Sequence, residues 1–167
     1  MSFHMHLRAV PDSEVRLDYA WLEEFMGAAW DWDVHQAEYQ AGIASSIEKD
    51  FRSVHELYAA GRGLPEGRDG VWELPIFGGG IVYHPDDKQP PFVHLPPDTV
   101  RQASAFLADV SFDALWEAAG PKLHTAFGPD WDEGDVRDIY VHHHAGLRAF
   151  YQRAAMAGRA VVKAFWY

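Results

Sequence analysis

Histidine is the residue type best suited to carry chemistry in this chain. The sequence contains ten, and imidazole can transfer protons near neutral pH or bind a transition metal. Three of them follow one another at positions 142–144, in a segment predicted to be helical. Successive helical side chains point about 100° apart, so these three cannot converge on one ion. A helical wheel places His143 among apolar neighbours, which predicts a buried, neutral, hydrogen-bonded side chain with a pKa below about 6.5.

His4 and His6 form a second pair of interest. They share one face of a predicted strand, a spacing that could place two imidazoles on one metal. A third ligand is not apparent, because the sequence has no His-Glu-x-x-His motif and no cysteine. We therefore assign no metal ligand and no cofactor from the sequence.

His55 and Lys49 lie in a segment whose apolar residues repeat at helical spacing. These residues are Ile47, Phe51, Val54 and Tyr58. His55 falls beside this apolar stripe and Lys49 falls nearly opposite to it, so a continuous helix would separate them. They could line one pocket if the helix began after Lys49 or if a neighbouring segment covered both faces. His55 is the best-placed candidate for proton transfer, and packing in the core is the alternative role.

A run of three glycines at positions 78–80 raises the question of a phosphate-binding loop. The run continues into apolar residues and His84, without the Lys and Ser or Thr of a P-loop. Gly79 remains a candidate for a backbone anion site, with His84 near it, and the alternative is a turn or a close passage between two backbones. No serine lies in a Gly-x-Ser-x-Gly context, so we assign no catalytic residue.

Strands are predicted at both ends of the chain, and most of the rest is predicted to be helical. Residues 3–10 alternate apolar and polar side chains, and residues 160–167 form an apolar run, so both should pair within one small sheet. Glycine and proline interrupt residues 62–97, and Gly120 with Pro121 should end a helix. Helices are predicted over residues 13–27, 31–61 with interruptions, 97–109, 111–119 and 135–157. The fold class is α+β, with residues 1–167 forming one mostly helical domain whose small sheet includes both terminal strands.

The composition restricts the classes of partner. The formal net charge is −11, from 25 acidic and 14 basic residues, which disfavours binding to nucleic acid or to anionic lipid. The absence of cysteine fits a reducing compartment, and no apolar run approaches the roughly 20 residues of a membrane helix. We expect a cytoplasmic protein whose partner is a small ligand or another protein.

Several segments together resemble the YfbM-like family of bacterial proteins. Residues 47–57 are similar to the family's signature of an acid, a lysine, an aromatic residue and then an aliphatic residue followed by histidine. Residues 3–11, the segment Phe77-Gly78-Gly79-Gly80 and residues 147–162 resemble other parts of the family pattern. Phe51 stands where tryptophan is more usual. The resemblance covers nearly the whole chain and implies an α+β fold, but it supplies no catalytic residues.

The function expected from the sequence is binding or regulation without catalysis, through an acidic surface and aromatic-lined loops. The alternative is a hydrolase or another small-molecule enzyme that uses histidines, with or without a metal. The candidates for ligand binding are His55, His84, Gly79 and Lys49. A homo-oligomer is left open.

Overall fold

A computed structural model describes residues 3–62 and 70–166. These residues form one antiparallel sheet of five strands together with six α-helices. The strands are β1 His4–Val10, β2 Ala44–Ile47, β3 Gly80–Val82, β4 Phe92–Leu95 and β5 Ala160–Trp166. The helices are α1 Tyr19–Gly27, α2 Trp32–Ala41, α3 Phe51–Ala59, α4 Pro97–Asp109, α5 Phe112–Phe127 and α6 Glu133–Met156. None of these helices combines the length and the apolar character that crossing a membrane requires.

The two terminal strands pair with each other near the centre of the sheet. The strand order is β2-β1-β5-β4-β3, and β1 pairs with β5 from His4 opposite Trp166 to Val10 opposite Ala160. Both strands are almost entirely buried, and buried backbone groups require hydrogen-bond partners. The predicted pairing of the two chain ends and the α+β fold class are thus confirmed.

Each face of the sheet is covered by a different set of helices. Met5 and Leu7 of β1 point toward the larger core, to which α3, α4, α5 and α6 contribute. The opposite face packs Val10 and Val162 against Leu22 and Met26 of α1. Because neighbouring side chains of a strand point to opposite faces, His4, His6 and Arg8 share this second face.

Two elements near the N-terminus differ from the prediction. The helix expected from residue 13 begins only at Tyr19, after a 3-10 turn, and Asp18 rather than Asp12 or Ser13 caps it by accepting the Trp21 N–H. The helical segment expected over 31–61 is divided by β2, whose sequence of small and polar residues gave no strand signal. The strand exists because β1 offers it a hydrogen-bonding edge.

The predicted end of the fifth helix is wrong. Helix α5 continues through Pro121 to Phe127, although proline lacks the N–H that would bond to the preceding turn. The buried residues Trp116 and Leu123 lie on either side of this position and hold both halves against the core. Gly120 is required there because a Cβ would lie 2.6 Å from the Trp116 ring. Packing therefore outweighs the local cost of the proline.

Part of the predicted loop-rich stretch, residues 63–69, lies outside the described residues.

The prediction of which histidine is buried in the core is also wrong, by one position. His144 is the buried histidine of α6, and its Nδ1 lies 3.1 Å from the Tyr58 hydroxyl. Burial, with a smaller effect from Arg148, lowers the pKa of His144. His143 is only partly buried and places Nε2 3.2 Å from a carboxylate oxygen of Asp50.

Lys163 is a buried lysine that the sequence analysis did not identify. It lies in the central strand β5, and its Nζ donates to the carbonyls of Leu74 and Gly78 at 2.7 Å each. The Tyr151 hydroxyl donates to the Pro75 carbonyl at 3.0 Å. Full burial lowers the pKa of Lys163 well below its usual value. These bonds fix the segment before the three glycines against the sheet.

Arg8 attaches α1 and α2 to the sheet. Its guanidinium makes two hydrogen bonds to the Glu38 carboxylate of α2, at 2.8 and 2.5 Å. It also donates to the Phe25 carbonyl and lies 4.0 Å from the centre of the Phe25 ring. A bidentate pair of this kind is both strong and directional. It is important here because α2 has no buried residue of its own.

Removing the charge of Glu38 should therefore weaken the whole fold. The Arg8 side chain is only 9% exposed, so Glu38→Gln leaves a buried guanidinium without its counter-ion and should cost about 3 kcal/mol of unfolding free energy. The control is Asp113→Asn, which breaks the exposed pair with Arg137 and should cost less than about 0.5 kcal/mol. Urea unfolding measures both. Equal losses in the two variants would show that Arg8 and Glu38 do not anchor α2.

Candidate functional site

A cavity of about 490 Å³ opens on the second face of the sheet, where β1 begins and β5 ends. Six aromatic side chains of the described residues line it, and we call it the aromatic–histidine cavity. These side chains are His4, His6, Trp30, Trp32, His35 and Trp166. Ser46 and Glu48, from β2 and the residue after it, supply the remaining polar groups.

Three parts of the chain bring these side chains together. The register of β1 with β5 places His6 beside Ala164 and His4 beside Trp166. The pairing with β2 places Ser46 on the other side of His6. Helix α2 begins above them because Asp31 caps its first turn by accepting the N–H of Asp33. The cavity thus depends on strands from both ends of the chain and on one surface helix.

The aromatic rings contact one another around the cavity. Ring centres lie 4.8 Å apart for Trp30 and Trp166, and 5.7 Å apart for Trp166 and His6. The series continues from His6 to His35 at 5.3 Å and from His35 to Trp32 at 6.0 Å. These distances are typical of attractive ring pairs. The rings support one another, which gives the wall a defined shape.

Two tryptophans of this wall are unusually exposed. Trp30 is 64% and Trp32 is 69% exposed, although tryptophan carries one of the largest apolar surfaces of any side chain. Neither contributes to the two hydrophobic cores as a buried residue. Exposed apolar residues clustered around a concave surface mark binding sites.

His6 combines burial with an unpaired nitrogen. Its side chain is 2% exposed, and its Nε2 has no hydrogen-bond partner. Burial lowers the pKa of His6 to about 3, with further contributions from His35, Arg8 and His4. The ring is therefore neutral at physiological pH. A buried polar atom without a partner costs free energy unless a ligand or water completes it.

A second cavity of about 350 Å³ lies across the Trp30–Trp166 pair. Both tryptophans line it together with Tyr19 and Glu23 of α1. The indole pair is consequently a shared wall between two neighbouring chambers.

The candidates named from the sequence lie elsewhere, and none lines either chamber. His55 lies between Trp72 and Phe77, with ring centres 5.0 and 4.7 Å away, and burial lowers its pKa. Lys49 is exposed in the turn before α3, which does begin after it.

Gly79 and His84 have local structural environments. Gly79 adopts φ +132°, and a Cβ there would lie 2.7 Å from Val93, which matches the close backbone passage considered above. His84 accepts the Asp86 N–H at 2.7 Å and packs its ring against Tyr19. Their proposed roles in ligand binding remain predictions.

Within the described residues, the cavity holds no hydrogen-bonded serine–histidine pair. Ser46 lies directly across from His6 in the sheet, but the described hydrogen bonds do not join their side chains. Among residues 3–62 and 70–166, no group of three or more histidine, aspartate or glutamate side chains could hold a metal ion. The geometry supports binding of a molecule through aromatic contacts.

Comparison with known proteins establishes the family. The model of a domain of unknown function, DUF1877, matches residues 1–163. The chain belongs to the DUF1877 family. This confirms the family resemblance, because the fold is also similar to the crystal structure of YfbM, a protein of unknown function from Escherichia coli, with a TM-score of 0.61.

The alignment with YfbM covers 98% of this DUF1877 member and 99% of that chain at 11% identity. Such a low identity supports the shared fold alone. No curated protein sequence matches the chain.

Most residues that line the cavity were not predicted from the sequence. Only the His4 and His6 pair was recognised as sharing a face. Trp30, Trp32 and His35 flank the start of a helix with no buried residue, so their periodicity carried no signal. A cluster of large aromatic residues in such a polar segment was the available clue.

The buried, neutral state of His6 predicts a specific dependence of stability on pH. The unfolded chain gains a proton on His6 below about pH 6.5, whereas the folded protein does so only near pH 3, so stability falls with pH across this window. We expect His6 to account for about 2 to 3 kcal/mol of the loss between about pH 6.5 and 4.5.

The test compares urea unfolding at several pH values for the wild type, His6→Gln and the exposed control His142→Gln. His6→Gln should flatten the pH dependence, whereas the control should follow the wild type. An unchanged slope in His6→Gln would contradict the buried, neutral state.

Proposed function

We propose that this chain is a cytoplasmic protein that binds a small organic molecule in the aromatic–histidine cavity and does not transform it. The observation that carries this proposal is the coincidence, at one cavity, of exposed tryptophans with the buried, unpaired Nε2 of His6. The tryptophans offer apolar area to a ligand. The His6 imidazole, which is buried in the free protein, offers one directional hydrogen bond when its ring turns toward the ligand.

The volume of the cavity supports a ligand of the size of a metabolite. A volume of about 490 Å³ lies within the range of roughly 300 to 1,000 Å³ that small-molecule sites occupy. Mutual ring contacts hold the wall in shape before the ligand arrives, which reduces the entropy that binding must overcome. The absence of an assembled nucleophile and base favours binding over catalysis.

Location in the cytoplasm is supported by the sequence. The chain has no cysteine, and its formal net charge of −11 favours solubility and opposes contact with anionic surfaces. An acidic surface also fits the binding or regulatory role expected from the composition.

Indole NMR signals allow a direct test of the site. The chain has seven tryptophans, and nitrogen–proton correlation spectra resolve their N–H groups. Titration with a set of small amines and heteroaromatic fragments should shift the signals of Trp30, Trp32 and Trp166, with Trp131 unaffected because it lies outside the cavity. Fragments that shift only other tryptophans, or no fragment that shifts any, would contradict the proposal.

Trp32→Ala should weaken binding without weakening the fold. Its indole is 69% exposed, so we expect the unfolding free energy to change by less than about 0.5 kcal/mol. Loss of one ring contact should reduce affinity for the fragments about tenfold. The matched control is Trp131→Ala, also a partly exposed tryptophan, which should bind as the wild type does.

Oligomeric state distinguishes a ligand site from a subunit interface. Light scattering of the wild type and Trp32→Ala should give the same mass. A wild-type dimer that Trp32→Ala converts to a monomer would show that the exposed tryptophans serve self-association, and the proposal would be wrong.

A further inference from the structure

The charges around the aromatic–histidine cavity select among ligand classes. Among residues 3–62 and 70–166, no lysine or arginine lines it, and Glu48 is its carboxylate. The cation nearest in sequence to the buried histidine is Arg8, which is already bound by Glu38 and lies over Phe25. A ligand carboxylate or phosphate would therefore meet a negative side chain without a compensating basic group.

The neighbouring chamber repeats this pattern. Its lining includes Glu23 and, within the part of the chain that the structure describes, no lysine or arginine. The indoles of Trp30 and Trp166 stand between the two carboxylates, since both rings line both chambers. Each chamber therefore combines indole rings with a carboxylate, and both favour a positively charged ligand.

The charge of the whole chain acts in the same direction. A formal net charge of −11 raises the local concentration of cations, and a cleft with low-dielectric walls concentrates that field. Tryptophan is the side chain whose ring attracts an organic cation most strongly. Three tryptophans line this single cavity.

We infer that the ligand of the aromatic–histidine cavity is an organic cation of the alkylammonium class, held against the indoles of Trp30, Trp32 and Trp166 beside Glu48. The inference rests on the proposed function and specifies its ligand. A substituted ammonium group suits the site because it is attracted by the rings and by the carboxylate together. A neutral molecule of the same shape would gain only the apolar contact.

Choline and an uncharged isostere isolate the contribution of charge. The isostere is the alcohol in which carbon replaces the quaternary nitrogen of choline, so size and shape are nearly conserved. In indole NMR titrations of the full chain, both probes should shift the signals of the same tryptophans. Choline should bind with about tenfold higher affinity than the isostere.

Substitution of the carboxylate provides the matched comparison. Glu48→Gln should weaken choline several-fold and leave the isostere unchanged, because only choline interacts with the charge. Glu117→Gln removes the same charge from an exposed position on α5, away from the cavity. It should leave both affinities unchanged, apart from a small effect of net charge that salt suppresses.

The possible outcomes distinguish failure of the organic-cation inference from failure of the proposed binding site. Equal affinity for choline and its isostere, or equal effects of Glu48→Gln and Glu117→Gln, would overturn the organic-cation inference while the site itself stands. If neither probe shifts Trp30, Trp32 or Trp166, or if Trp32→Ala leaves the shifts and affinities unchanged, the site itself is wrong. Tighter binding of choline that depends on both Trp32 and Glu48 is the result expected.

Discussion

The pairing of the first strand with the last is the constraint on which the rest of the structure depends. In the register of β1 with β5, His4 lies beside Trp166 and His6 beside Ala164, so one end of the sheet carries aromatic groups from both ends of the chain. The same two strands give their opposite faces to two separate cores. A slip of one residue would exchange these faces and place the histidines in the larger core.

The two faces of the sheet have different roles. The face covered by α3 to α6 holds most of the buried apolar residues and supplies most of the burial. On the other face α2 has no buried residue and is attached chiefly through Glu38 and Arg8. This helix carries His35 and Trp32 over the cavity. Large aromatic residues can remain exposed there because stability is provided elsewhere, as is common for binding sites on a rigid scaffold.

Local signals predicted the framework but little of the site. The alternation of apolar and polar residues predicted β1, and the proline at its first turn helped to predict α4. Helix α4 has its predicted bounds of 97–109. Strand β2 and the passage of α5 through Pro121 depend on neighbours that no local pattern contains. The wheel selected His143 instead of His144 because the two lie on opposite edges of the same apolar stripe, and the contact with Tyr58 of α3, which no local pattern contains, decides which one is buried. The cavity joins residues 4 to 166, and only the sheet topology brings them together.

The central claim is that a cation binds against the indole wall, and a crystal structure of the protein grown with choline tests it most directly. The account predicts the quaternary ammonium group inside the cavity, within about 6 Å of the indole centres and near Glu48. It also predicts that His6 Nε2 gains a partner from the ligand or from an ordered water. Choline bound elsewhere, or an aromatic–histidine cavity filled by a second copy of the chain, would contradict it.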